Sequence, residues 1–120
     1  MFVAGCLVAV ATVGGIAVNV ASAHKREIHT KLAFVSGSQP GTHAVQVSSN
    51  KRKCFRARHV SWYRADGVLV YANDADANGI AEPQQPFAAE PGDYATVGKR
   101  ILKVDGAHKH VCRKAKTTFG

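Results

Sequence analysis

Apolar and polar residues alternate with a period of two over most of the chain from Ile28 to Phe119. Ile28, Thr30, Leu32 and Phe34 alternate with His29, Lys31 and Ala33, which predicts a half-buried strand. The run from Ser36 to Gly41 is turn chemistry, and Val45 and Val47 lead a second strand that stops at Ser48-Ser49-Asn50. Val60 and Trp62 share one face of a third strand, with Ser61 and Tyr63 on the other. Asp66-Gly67 is a tight-turn pair leading into Val68-Leu69-Val70-Tyr71, which predicts a hairpin. Asn73 to Gly79 reads as a polar turn, and Pro83, Pro86 and Pro91-Gly92 break up the next stretch. Tyr94 to Val97 and Ile101 to Val104 are strands, and Asp105-Gly106 turns into a last run from His108 to Phe119. No segment carries a helical stripe. About seven short strands, spaced roughly 8 to 12 residues apart, predict an all-β, seven-stranded β-sandwich. Trp62, the one tryptophan, is expected in its core.

Residues 1–23 break the pattern. They carry no charged side chain, run apolar through Leu7 to Val13, and close on Ala21-Ser22-Ala23. An apolar run ending in a small-x-small triplet predicts a cleaved secretory signal peptide, with the β domain occupying residues 24–120 and the protein secreted or held at the cell envelope. No Lys or Arg precedes the run, so an uncleaved membrane anchor is the competing expectation. Val3-Ala4-Gly5-Cys6 resembles a lipobox but lies too near the start of the apolar run to end it.

Export sets the reading of the cysteines. Cys54 and Cys112 come after the apolar run, and two cysteines in an exported domain most simply pair as one disulfide. Such a bond would close a loop of nearly 60 residues and stabilise by roughly 4 kcal/mol on the chain-entropy model.

Sixteen Lys and Arg against eight Asp and Glu give a net charge of +8, all of it after residue 23. The cations cluster at His24-Lys25-Arg26, at Lys51-Arg52-Lys53 with Arg56 and Arg58, at Lys99-Arg100, and from His108 to Lys116. Lys51, Arg52, Lys53, Arg56 and Arg58 are the candidate binding residues for an anionic cell-envelope polymer or another envelope protein. A plain solvated face is the competing expectation. The basic runs lack an interleaved aromatic stacking platform, which argues against nucleic acid. A membrane enters only through an uncleaved leader.

Val45-x-Val47-Ser48-Ser49, then Cys54, then Arg58-His59-Val60-Ser61-Trp62-Tyr63-Arg64 resembles a class of small secreted actinobacterial proteins. Asp76-Ala77-Asn78-Gly79, Pro91-Gly92-Asp93-Tyr94 and Cys112-Arg113-Lys114-Ala115-Lys116-Thr117 continue the likeness in order over residues 43 to 118. That class is similar to carboxypeptidase regulatory-like and other prealbumin-like or Ig-like β-sandwich domains. The resemblance implies an Ig-like fold, an extracellular setting and a structural or adhesive role without catalytic residues.

Two patterns suggest metals, although no cofactor is expected. Asp74-x-Asp76-x-Asn78-Gly79 matches the first half of a calcium loop, with three oxygen ligands at alternate positions and a glycine for the sharp turn. Its second half fails, because Gln85 stands where a bidentate Glu is needed. His108, His110 and Cys112 alternate along one strand and with Cys54 would make a two-nitrogen, two-sulfur set for zinc or copper, provided the thiols are free. There is no Gly-x-Ser-x-Gly elbow and no His-Glu-x-x-His, so the chain is read as a non-enzyme.

Overall fold

The computed structural model describes residues 25–105 and 108–120; the proposed signal peptide lies outside the described residues. Among the described residues the chain is all-β, with ten strands and one short 3-10 turn. The strands are β1 (Lys25–Ile28), β2 (Lys31–Ser36), β3 (His43–Ser48), β4 (His59–Tyr63), β5 (Leu69–Asp74), β6 (Ile80–Ala81), β7 (Tyr94–Val97), β8 (Arg100–Asp105), β9 (His108–Cys112) and β10 (Ala115–Thr118). They form three sheets, ordered β1-β9-β8, β10-β7-β4-β5 and β2-β3-β6. The described residues divide into two compact units, 25–27 with 101–105 and 108–111, and Ile28–Arg100 with Cys112–Gly120. The first holds most of the β1-β9-β8 sheet; the second holds the other two sheets.

In the larger unit the period-two pattern does its work. Val60 and Trp62 on β4, Ala95 and Val97 on β7, and Leu32, Val45 and Val47 on β2 and β3 all join one buried cluster with Ala81 and Phe87. The two sheets therefore share a single core. Every pairing in them is antiparallel, with Val60 opposite Val97, Trp62 opposite Ala95, and Leu32 opposite Val47. Small Ala95 beside Trp62 leaves room for the indole, which is fully buried as expected. Its Nε1–H has no acceptor among the described residues, a cost of about 1–3 kcal/mol that the burial of the ring outweighs.

The count of ten strands corrects the expected seven. The run from Ile28 to Phe34 breaks at His29-Thr30, and the run from His108 to Phe119 breaks at Arg113-Lys114, so each supplies two strands to two different sheets. Periodicity does not register such a break, because the alternation resumes in phase on the far side. The two-residue β6 pairs Ala81 with Val45 inside the proline-rich stretch. The second hairpin strand runs on to Asp74, because β5 is an edge strand whose exposed end tolerates Asn73 and Asp74.

An ion pair with one buried partner locks one end of this unit. Asp93 is buried, and its carboxylate accepts hydrogen bonds from Arg64 Nη1 at 2.6 Å and from the backbone N–H groups of Ala65 and Glu90. The Arg64 guanidinium lies over the Phe87 ring, 4.5 Å from its centroid. Burial alone would raise the Asp93 pKa. The Glu90 N–H, the Arg64 hydrogen bond and charge, and the Ala65 N–H overcome it and hold the carboxyl below its ordinary value of 3.8. A depressed carboxylate contributes stability that is complete above the unfolded-state value and fades as pH falls through the folded one. Asp93→Asn is therefore expected to destabilise the protein by about 2 kcal/mol at neutral pH, and by less as the pH drops below about 4. Urea unfolding of the pair at pH 7 and pH 3 checks this. A pH-independent difference would deny the carboxylate its role.

Candidate functional site

The basic segment after β3 folds into a turn around Cys54. Arg52–Cys54 is a single 3-10 turn, closed by Cys54 N–H to the Lys51 carbonyl and by the Phe55 and Arg56 N–H groups to the Arg52 carbonyl. Ala57 then takes a positive φ of 55°, which costs an alanine roughly 1 kcal/mol and turns the chain into β4. Cys54 and Cys112, both fully buried, form the expected disulfide with 5.4 Å between Cα atoms, closing a separation of 58 residues.

The cations of this segment divide into two groups. Lys51, Arg52, Lys53 and Arg56 are exposed, and their side chains make no ion pair among the described residues. Arg58 is different and corrects its expected place on the surface, because it is 1% exposed. Its guanidinium donates from Nη1 to the Cys54 carbonyl (2.6 Å) and Thr30 Oγ1 (3.3 Å), and from Nη2 to the carbonyls of Gly98 (2.5 Å) and Arg113 (3.2 Å). Thr30 and Arg113 are the two points where the long runs break into separate strands. Arg58 meets the first break through the Thr30 hydroxyl and the second through the Arg113 carbonyl. Burial, and then the nearby Arg100 charge, lowers the Arg58 pKa to about 10, so it stays a cation at neutral pH. Arg100 caps the same turn from β8, donating to the carbonyls of Lys53, Arg56 and Ala57 at 2.6–3.0 Å. Its role was missed in the sequence because 43 residues separate it from Ala57, and nothing local marks the contact.

Beside Arg58 the outer face of the β10-β7-β4-β5 sheet forms a shallow groove of about 330 Å³. Its walls carry Ser61 and Thr96, which face each other in register across β4 and β7, with Lys99, Arg100 and the backbone at Gly98 at one end. His59 lies at the border, its Nδ1 at 2.8 Å from Asp74 Oδ1. Farther along the same face Tyr63 and Tyr94 stack at 4.8 Å, and Lys116 Nζ sits 4.4 Å from the Tyr94 ring centroid. The sheet thus does place aromatic rings beside cations, a juxtaposition absent from the linear runs. Both neighbours occupy Tyr94, so it is no open platform for stacking bases.

The metal expectations do not assemble. Asp74 ends β5 and pairs with His59, whereas Asp76 Oδ1 accepts the N–H groups of Asn78 and Ile80 in an Asx-type turn. Asn78 is exposed. Gly79 in this turn has φ 85°, and a Cβ there would collide with the Val47 carbonyl, so the glycine is explained by β3 packing rather than by an ion. The set of His108, His110, Cys54 and Cys112 loses both sulfurs to the disulfide, since only a thiolate is a ligand of that kind; the His108 side chain lies outside the described residues. Among the described residues no group of three or more His, Cys, Asp or Glu is placed to hold a metal.

A second concavity of about 130 Å³ lies between Thr42, His43, Glu82 and the Gln84–Phe87 stretch. His43 Nδ1 accepts the Ala89 N–H at 3.0 Å while its ring packs against Phe34 and Phe119, so it acts as a structural acceptor. No family model, curated protein or solved structure matches this chain.

Proposed function

We propose that the chain is a secreted, non-catalytic binding module of the cell envelope, built as an Ig-like or prealbumin-like β-sandwich, whose basic surface contacts anionic polymers. The observation that carries this reading is the exposed set Lys51, Arg52, Lys53 and Arg56, four cations on one disulfide-anchored turn with no carboxylate paired to them among the described residues. A rigid turn presents such charges with little ordering cost on binding. The uncharged leader ending in Ala21-Ser22-Ala23 and the pairing of Cys54 with Cys112 support the exported setting.

Binding of this kind is expected to weaken steeply with salt, because exposed charges are screened within about 10 Å at 0.1 M ionic strength and within about 3 Å at 1 M. Retention of the purified protein on isolated cell envelopes should fall by more than about tenfold between roughly 0.05 M and 0.5 M sodium chloride. Retention that does not change over this range would overturn the electrostatic reading.

A further inference from the structure

The groove on the outer face of the β10-β7-β4-β5 sheet carries chemistry that the exposed turn does not. Arg58 and Arg100 line it, two guanidinium groups close together with no ion pair to a carboxylate among the described residues. Their Nη atoms already donate to backbone carbonyls. They therefore supply positive charge to the groove without a free Nη1/Nη2 fork. Ser61 and Thr96 add two hydroxyls from opposite strands, and Lys99 adds an exposed ammonium. At Gly98 nothing lies within 4 Å of where a Cβ would stand, so a ligand can approach the backbone there.

This donor set discriminates between anions. A planar carboxylate is held best by a free Arg fork in a two-point contact, and the Nη1/Nη2 fork of each guanidinium is already engaged with the protein. Point donors approaching from several directions suit a group whose oxygens also point in several directions. We propose that the Ser61–Thr96–Lys99 groove is a specific site for the tetrahedral oxyanion of a phosphate or sulfate ester on an anionic polymer. The proposal rests on the binding-module reading and adds to it a defined site and a ligand chemistry.

The test uses the purified protein, amide NMR spectra, and sodium phosphate, sulfate or acetate as probes at constant ionic strength. Phosphate or sulfate should shift the resonances of Ser61, Thr96 and Gly98 to Arg100 at millimolar concentration, with acetate at least about tenfold weaker. The stronger of the two oxyanions then identifies the ester. Gly98→Leu fills the groove without removing a charge or requiring an unfavourable φ. It should keep the wild-type spectrum elsewhere and weaken the oxyanion by about tenfold or more. Thr96→Val is a second variant that removes one donor and should weaken the oxyanion in the same direction. Equal affinity for acetate, shifts confined to residues 51–56, or a Gly98→Leu protein that binds as the wild type does would each overturn the site while leaving the electrostatic reading standing. Salt-independent retention of the wild type would instead remove the broader reading.

Discussion

Arg58→Met is expected to destabilise the protein by about 3–5 kcal/mol in urea unfolding, a larger loss than any other single cation should give. Methionine fills much of the same volume but donates nothing. The carbonyls of Cys54, Gly98 and Arg113 and the Thr30 hydroxyl would then be left without the donor they share. The magnitude comes from these acceptors and not from the charge. With its pKa lowered to about 10, the Arg58 cation is held at a cost that persists at every pH below that value. Stability from this group should therefore rise, not fall, as pH climbs above about 10, because the unfolded chain then binds the proton more tightly than the folded one. Arg58→Lys keeps a cation but offers three donors on a single nitrogen for four spread acceptors, so it should recover only part of the loss. An Arg58→Met protein as stable as the wild type would show that the carbonyls find other partners and that the guanidinium is dispensable.

Breaking the disulfide should have an effect of similar size. Cys54→Ser or Cys112→Ser is expected to lower stability by about 2–5 kcal/mol, since the bond closes a loop of 58 residues in a small domain. Intact mass should rise by about 2 Da on reduction, and the unreduced, unfolded protein should present neither Cys54 nor Cys112 to an alkylating reagent. The two effects should not add. Cys54 carries both the sulfur of the bond and the carbonyl that Arg58 holds at 2.6 Å. Arg58→Met combined with Cys112→Ser should cost less than the sum of the two, with a coupling of about 0.5–3 kcal/mol. Strict additivity would mean that the guanidinium and the disulfide stabilise the Cys54 turn independently.

These two features differ in how far the sequence betrays them. The disulfide was legible, because two cysteines after an apolar leader leave one simple pairing. The core was legible for the same kind of reason. Val60, Trp62, Ala95 and Val97 alternate with polar residues, and the alternation alone assigns them to the inside. It equally assigns Ser61 and Thr96 to the outside, but their meeting across β4 and β7 depends on strand order, which alternation does not encode. Arg58 was misread because a buried cation and an exposed one look the same within a basic run. Only the long-range acceptors at Thr30, Gly98 and Arg113 distinguish them. The calcium-like spacing does not fix partners, for a related reason. Asp74 belongs to a strand and Asp76 to a turn, so residues two apart along the chain point to different partners.

The division of the basic segment into cations that bind and cations that build is the centre of this account. It is tested most directly by the quadruple variant Lys51→Gln/Arg52→Gln/Lys53→Gln/Arg56→Gln, assayed for retention on isolated cell envelopes at low salt beside its thermal unfolding. None of these four side chains makes an ion pair among the described residues, so the melting temperature should move by no more than a few degrees. Retention should drop by about tenfold or more. Undiminished retention by a stably folded variant would contradict the account.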